Sequence, residues 1–153
     1  MYKKVSTDMN FVEREKQVEK FWEDNQIFEK SMKVREGNPS YVFYDGPPTA
    51  NGKPHIGHVE TRVIKDMIPR YRTMKGYYVP RKAGWDTHGL PVELEVEKLL
   101  GLDGKDQIEQ YGLVPFIDKC KESVWKYKGM WEKFSDTVGF WADMDNPLSL
   151  IHI

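Results

Sequence analysis

The sequence holds one cysteine, Cys120, so no disulfide bond can form within the chain. It has no run of about 18 apolar residues, which excludes a transmembrane helix. No apolar stretch follows the two lysines near its start, as it would in a secretory signal. Neither charge sign is in excess, because the formal net charge is −1, so no overall basic field indicates nucleic acid. These absences favour a cytoplasmic protein that is not bound to a membrane.

What the chain does contain is typical of one globular domain. Of its 153 residues, 39% are hydrophobic and 31% are charged. Aromatic residues make up 13% and supply large side chains for a core.

Residues 10–24 show the spacing of an amphipathic helix, with Asn10 as its cap. Further helices are predicted over 91–101, which begins with proline and ends in glycine, and near 105–111. The apolar stripe of the first helix is expected at Phe11, Val18, Phe21 and Trp22.

The strongest periodicity runs over 113–138 and predicts one long helix with one buried face. Cys120 lies on that face, which indicates a core residue rather than a reactive thiol. The face comprises Phe116, Cys120, Val124, Tyr127, Trp131, Phe134 and Val138.

Two segments rich in β-forming residues, 41–46 and 77–85, predict strands, and the first is expected to be buried. Three prolines and a glycine make 47–55 a loop. A helix is predicted from Ile56 to about Gly76, and Pro69 is expected to kink or break it. This order favours a βαβ unit with a parallel sheet, and hence an α/β fold. The expected stripe of the middle helix is Val59, Val63, Met67 and Met74.

The apolar end PLSLIHI, residues 147–153, fits either an edge strand or a truncated or foreign end. His152 within it has no companion, and no role is assigned to it.

The loop over 47–55 carries the chemistry. It leads from a strand into a helix start, where unpaired N–H groups and the positive dipole end attract phosphates. His55 and His58 lie three apart on one side of that first turn, where imidazole N–H groups could donate to phosphate oxygens. Gly57 would let a flat ring approach the backbone, and Lys53 adds a mobile cation.

Two simpler interpretations of the histidine pair stay open. A zinc site needs three or four ligands, and no cysteine cluster accompanies the pair, so zinc is not supported. A bare pair of histidines is by default a chance surface feature. The surrounding strand, Gly-Pro-Pro turn and helix make this segment more specific than the pair alone.

The segment His55-Ile56-Gly57-His58 resembles the HIGH signature of class I aminoacyl-tRNA synthetases. The preceding DGPPTANG, 45–52, resembles the first-strand loop of the isoleucine, valine and leucine group. GWDTHGLP, 84–91, looks like the isoleucyl version of the next loop. The likeness extends from about residue 8 to 146 and includes the aromatic helix with Trp125 and Trp131.

The resemblance implies an incomplete Rossmann-like domain with an N-terminal helix and a long C-terminal helix. It also implies that His55 and His58 are catalytic. The implied ATP-binding residues are Thr49, Asn51, His55, Gly57 and His58, and the implied amino-acid-binding residues are Gly46, Pro47 and Asp86.

Charge supports the implied role of Asp86, because a fixed carboxylate is the natural partner of an amino acid's ammonium group. The alternative is that Asp86 caps the helix that follows. His88 is expected to be structural.

On this resemblance, 1–40 is an N-terminal helical segment, 41–147 the first half of the catalytic domain, and 148–153 a divergent or truncated tail. The implied reaction is ATP-dependent activation of isoleucine and its transfer to tRNA(Ile), with Mg²⁺ accompanying ATP. The second family signature, KMSKS, does not occur in the sequence. The chain is therefore expected to be an N-terminal fragment, inactive alone, whose tRNA contacts lie in other parts. The basic residues expected to form a solvated face are Lys65, Arg70, Arg72 and Lys75.

Two rival functions remain at this stage. One is a small nucleotidyltransferase that carries a HIGH-like segment. The chain length favours this rival, because such enzymes are about as long as this chain. The other is a fragment that binds nucleotide without catalysis.

Overall fold

The computed structural model describes residues 4–7, 10–46, 48–49 and 52–149. Helices and strands alternate in the first half, and helices predominate in the second. In chain order they are α1 (Phe11–Asp24), α2 (Ile27–Lys33), β1 (Phe43–Tyr44), α3 (Ile56–Met74), β2 (Arg81–Trp85), α4 (Leu90–Leu100), α5 (Lys105–Tyr111), α6 (Leu113–Ser123), α7 (Lys128–Thr137) and β3 (Asp143–Ser149). No helix in these described ranges is long and apolar enough to cross a membrane.

The strands form a parallel sheet in the order β1-β2-β3. Phe43 pairs with Arg81 and Tyr44 with Lys82, so β1, α3 and β2 make the predicted βαβ unit. The α/β fold is confirmed. The order also places β2 between the other two strands, which makes it the most buried of the three.

The first strand differs from its prediction in length and burial. Only Phe43 and Tyr44 pair as β1, and Val42 and Tyr44 are 63% and 65% exposed. The expectation of a buried strand over 41–46 is wrong, because β1 lies at the edge of the described sheet. The β-forming residues of this segment therefore reflect strand propensity without burial.

The third strand includes the first part of the apolar end, residues 147–153. Pro147, Leu148 and Ser149 belong to β3, which pairs with β2. The edge-strand interpretation therefore holds for these three residues, whereas 150–153 lie outside the described residues. The pairing shifts between Lys82 and Gly84, where Asp143 Oδ1 accepts from the Asn146 N–H at 3.0 Å. Pro147 has no N–H to donate, so an edge strand suits it.

Helix α1 begins as predicted, since Asn10 Oδ1 accepts from the Glu13 N–H at 3.1 Å. Its apolar stripe is not buried as expected: Phe11 is 63% and Phe21 56% exposed. Trp22 is half-buried, and it packs edge-on against Trp141 with ring centroids 5.0 Å apart. Helix α2, which the sequence analysis did not predict, follows after the left-handed residue Gln26 (φ 50°).

Helix α3 runs through Pro69, so the helix is not broken there. The other part of that expectation, a kink at Pro69, stays a prediction. Its predicted apolar stripe is also wrong, because Val63 and Met67 are 57% and 61% exposed. The buried residues of α3 are instead Arg62 and Pro69, on a neighbouring face. The error arises because the face that packs inward carries a charged arginine, held by aromatic rings, and so does not look apolar in the sequence.

The long helix predicted over 113–138 is two helices, α6 and α7, separated by a turn at 124–127. Tighter bonds form at the turn, with the Lys126 N–H donating to Ser123 O and the Lys128 N–H to Trp125 O. The predicted face is nevertheless inward: Phe116, Val124 and Trp131 are buried. Because the turn keeps a near-helical path, the apolar period continues across it and conceals the break from the sequence.

The predictions for α4 and α5 are confirmed. Gly101 ends α4 in the left-handed conformation (φ 69°), where glycine has no steric penalty. The core lies against β2: Trp85 and Trp131 form one cluster, and Ala83, Phe140 and Ala142 form another.

Candidate active site

The loops after β1 and β2 lie side by side, because the carboxyl ends of parallel strands meet at one edge of the sheet. Thr49 and Asp86 form an isolated parallel bridge, and the Asp86 N–H donates to Pro48 O at 3.1 Å. Thr49 was implied as an ATP-binding residue and Asp86 as an amino-acid-binding residue. The fold thus brings the two implied subsites together. Pro47 and Asn51, from the same implied set, lie outside the described residues.

The two histidines cap the N-terminus of α3. His55 Nδ1 accepts from the Gly57 N–H at 3.2 Å, and the His55 N–H donates to His58 Nδ1 at 3.0 Å. The rings lie close together, with centroids 3.8 Å apart. Since each Nδ1 accepts a backbone N–H, the proton of each neutral imidazole is on Nε2. Two N–H groups at this helix start are therefore already bonded by the imidazoles, and the two Nε2–H groups remain as side-chain donors for a ligand.

The protonation of His58 follows from its surroundings. Burial lowers the pKa of His58 below its ordinary value, and the neighbouring His55 and Arg62 side chains lower that pKa further. The neutral form with one Nε2–H is thus favoured at neutral pH.

Gly57 is explained first by the His55 side chain. A Cβ at position 57 would lie 3.1 Å from His55 Cε1 and 3.2 Å from His55 Nδ1. The imidazole would then have to shift by a few tenths of an ångström from the position in which it caps the helix. The close approach of a ligand ring to Gly57, expected from the sequence, remains a proposal.

A buried ion pair joins the end of β1 to α3. Lys65 Nζ lies 2.9 Å from Asp45 Oδ1 and donates to Gly46 O, also at 2.9 Å. The Asp45 side chain is only 2% exposed, so its charge is neutralised mainly by this lysine. The contact fixes the carbonyl of Gly46 at the start of the loop.

The expectation that the basic residues of α3 form a solvated face is wrong for three of them. Lys65 holds Asp45. Arg70 pairs with Asp66, donates to Gly139 O at 2.6 Å and stacks on Trp141 at 3.8 Å. The Arg72 guanidinium lies 4.8 Å from the Tyr41 ring centroid. Sequence reasoning missed most of these contacts because Asp45, Trp141 and Tyr41 are distant in the chain. Asp66 lies four residues before Arg70, so helical spacing could have indicated that pair.

Beneath the histidines lies a cluster that the sequence did not reveal as part of the site. The His58 ring meets Trp131 edge-on at 4.7 Å, and Trp131 Nε1 donates to Gly52 O at 2.7 Å. The Arg62 guanidinium lies 5.0 Å from the Trp131 ring centroid. Arg62 follows His58 by four residues, so helical spacing alone could have placed these two together.

The capping alternative for Asp86 is not supported. Helix α4 has Gly89 as its N-cap, without a side-chain cap. Among the described residues, no hydrogen bond or ion pair of the Asp86 carboxylate is formed.

Behind the Asp86 loop, α4, α5 and α6 line an open cavity of about 560 Å³. His88 is exposed and lines this cavity together with Thr87, Phe116 and Cys120. Cys120 is half-buried, and burial raises the pKa of its thiol, so it is protonated at neutral pH. This agrees with the expected unreactive thiol, but Cys120 lines the cavity and is not a fully buried core residue.

Comparison with known proteins gives the family. The sequence model of the class I tRNA synthetases for I, L, M and V matches residues 17–152. The chain is 63% identical over 147 residues to an isoleucine--tRNA ligase of Clostridium kluyveri, covering 96% of the chain and 14% of that protein. It is 58% identical over 152 residues to the isoleucine--tRNA ligase of Clostridium novyi, covering 99% of the chain and 15% of that protein.

A solved structure agrees on the fold. The leucyl-tRNA synthetase LeuRS of Agrobacterium radiobacter K84, in a ternary complex with tRNA and LeuAMS, matches with a TM-score of 0.64 at 20% identity. The match covers 93% of this chain and 16% of that one. The chain spans about one seventh of the length of these curated relatives. The family match leaves the small nucleotidyltransferase without support: the chain belongs to the class I tRNA synthetases.

Proposed function

We propose that the chain is the N-terminal part of an isoleucine--tRNA ligase and carries the HIGH half of its isoleucine-activating site. The observation that supports this most directly is the pair of capping histidines, whose Nδ1 atoms accept backbone N–H groups and leave both Nε2–H groups as donors. The names of the relatives that are 56–63% identical support isoleucine as the amino acid.

In the proposed first step, the carboxylate of isoleucine attacks the α-phosphorus of ATP. The bond to the bridging oxygen breaks, pyrophosphate leaves, and isoleucyl-adenylate forms. Negative charge shifts onto phosphate oxygens, and the Nε2–H groups of His55 and His58 donate to these oxygens. Such fixed donors stabilise the transition state without having to reorganise. In the second step, the terminal ribose hydroxyl of tRNA takes the isoleucyl group and AMP leaves.

The donor set suits the phosphate oxygens of a triphosphate. Imidazole N–H groups donate to such oxygens, and Thr49 lies in the same loop as His55, where it pairs with Asp86. The described part of the chain contains no cluster of three histidine, cysteine or carboxylate groups that could hold a metal. In this proposal Mg²⁺ is held through the ATP phosphates, whose charge it partly neutralises.

The isoleucine end of the site is assigned to Asp86, Gly46 and Pro47. Two aspartates lie at the strand ends, but Asp45 is already neutralised by Lys65. Asp86 has no such partner among the described residues, so its carboxylate is available for the ammonium group of isoleucine. Carboxylate recognition alone cannot distinguish isoleucine from valine, so the distinction must come from the apolar walls.

The tRNA partner is assigned to parts of the protein outside this chain. Lys65, Arg70 and Arg72 make internal contacts, so they are not available as a phosphate-binding surface.

The test uses this chain joined to the remainder of the Clostridium kluyveri relative, which we call the joined protein. Isoleucine-dependent exchange between ATP and pyrophosphate is measured, with valine and leucine as matched amino acids. We expect exchange with isoleucine, weaker exchange with valine and none above background with leucine. Exchange that leucine supports as well as isoleucine would contradict the proposed function.

A further inference from the structure

Trp131 contacts both parts of the candidate phosphate site at once. One edge of its indole donates from Nε1 to the carbonyl of Gly52, 2.7 Å away, in the loop before α3. Its ring also meets His58, the first-turn histidine of α3, at 4.7 Å in an edge-to-face arrangement. Trp131 is only 1% exposed and shares a core cluster with Trp85, the last residue of β2. One side chain thus links the loop after β1, the start of α3 and the end of β2.

The indole is itself held in place from α3 and α7. Arg62 is 3% exposed, and its guanidinium lies 5.0 Å from the Trp131 ring centroid and 5.2 Å from that of Phe134. Arg62 Nε donates to Ser135 Oγ at 3.2 Å, and Ser135 Oγ donates to Trp131 O at 2.9 Å. A buried arginine over an indole gains a cation–π attraction, which is stronger where water is excluded. The direction of the Trp131 ring is therefore set by packing rather than by solvent.

We propose that Trp131 is a positioning residue for isoleucine activation: it holds the ring of His58 and the Gly52 carbonyl in a fixed relation. This inference rests on the proposed function. His58 needs its Nε2–H directed at a phosphate oxygen, and its Nδ1 bond to the His55 N–H leaves the ring free to tilt about that bond. The Trp131 ring blocks that tilt. Trp131 touches no reacting atom and acts only through His58 and the loop.

The test compares Trp131→Phe with Trp141→Phe in the joined protein. The first change keeps an aromatic ring but removes the Nε1–H donor and reduces the ring surface that packs against His58. The second removes an indole that packs on Trp22 and Arg70, away from the histidines. Rates are expressed per active site, and the concentration of active sites is obtained by titrating the adenylate formed. Unfolded protein forms no adenylate, so it does not affect these rates.

We expect Trp131→Phe to lower kcat of isoleucine-dependent exchange about 10- to 100-fold, the scale of a misplaced catalytic group. The KM for isoleucine should stay unchanged. Trp141→Phe should leave both constants unchanged even if it lowers the melting temperature. Equal kcat values per active site for the two variants would overturn the inference, because a merely structural tryptophan changes the amount of folded enzyme and not its rate.

A second readout does not require activity. Diethyl pyrocarbonate modifies exposed imidazole nitrogens, and mass spectrometry locates the modified histidine. Trp131→Phe should raise the modification rate of His58, while the exposed His88 keeps its rate as the internal control. An unchanged His58 rate would overturn the inference. A joined protein without exchange activity would contradict the proposed function, and the His58 rate would then decide the role of Trp131 by itself.

Discussion

At the scale of single residues, His55 and His58 serve two purposes with different ring atoms. The Nδ1 atoms satisfy backbone N–H groups at the start of α3, and the Nε2–H groups are left for a ligand. A histidine can do both because its two nitrogens are distinct and the bond to one fixes the proton on the other. The signature therefore stabilises the helix start and prepares the donors in one arrangement.

The cap gives His58 a pH-dependent effect on stability. Its folded pKa is lowered below the unfolded value, chiefly by burial, so the neutral form is favoured by folding. This stabilisation is fully present above the unfolded value of about 6.5 and is lost as the pH falls through the lowered folded pKa. We expect the 153-residue chain to lose more stability between pH 7 and 5 than its His58→Asn variant, because asparagine does not titrate.

Urea unfolding of both chains at the two pH values checks this. The pKa of Asp136 is raised chiefly by burial, so its contribution to the free energy of unfolding rises as the pH falls. Asp136 is present in both proteins, so this contribution cancels in the comparison. A larger loss in His58→Asn would show that the sign assigned to His58 is wrong.

The role proposed for Asp86 leads to a substitution with a selective outcome. Asp86→Asn in the joined protein should lower kcat/KM for isoleucine and valine by similar factors, because both present the same ammonium group. The ratio of the two kcat/KM values depends on one methylene, which is worth about 1–3 kcal/mol. That range is already known for this enzyme family and does not come from the structure. Exchange kinetics with both amino acids measure the ratio. A change in the ratio of about tenfold, or roughly 1.4 kcal/mol, would show that Asp86 shapes the side-chain pocket instead.

The sequence was sufficient for the residues whose neighbours are close in the chain. His55, Gly57 and His58 could be placed at a helix start, because capping depends on positions three or fewer apart. It was insufficient for Lys65 and Arg62. Their spacing on α3 was visible, but an exposed and a buried cation look alike until Asp45 and the Trp131 ring are brought beside them.

At the scale of elements, the Lys65–Asp45 pair fastens α3 to the end of β1, next to Gly46. Lys65→Met should destabilise the 153-residue chain by about 1–3 kcal/mol, because it leaves a buried charged acceptor without its partner. The double variant Asp45→Asn with Lys65→Met should recover part of that loss, since no buried charge remains.

Urea unfolding of the chain, both single variants and the double variant gives the coupling between the two side chains. The matched control is Lys75→Met. Lys75 is an exposed lysine at the C-terminal end of α3, so its replacement should change stability little. Additive effects of the two single substitutions would show that Lys65 and Asp45 do not stabilise each other.

Element boundaries could be predicted where local signals are strong, as at Asn10 before α1 and Gly101 after α4. The division between α6 and α7 could not, because the apolar period continues across the turn. The buried face of α3 was predicted wrongly for a different reason. Periodicity identifies an apolar face but not which face meets the sheet, and here the buried face contains Arg62 and Pro69.

At the scale of the whole molecule, the parallel sheet formed by the described residues brings the two loops with family signatures to one edge. The Thr49–Asp86 bridge joins the loops, and Trp131 supports them from below. The domain boundaries at 40 and 147 remain predictions. The proposed activity depends on this arrangement, because adenylate formation requires the phosphate and the amino acid to be held together.

The central claim is that the Nε2–H of His58 stabilises the transition state of isoleucine activation. The most direct measurement is single-turnover adenylate formation by the joined protein with His58→Asn and His58→Ala. Asparagine can still accept the His55 N–H, whereas alanine cannot, so only alanine should also weaken the helix cap. We expect both variants to lose about 10²–10³-fold in rate, as for the loss of one such donor, with isoleucine affinity unchanged. An unchanged rate in His58→Asn, or a weakened isoleucine affinity at an unchanged rate, would contradict the claim.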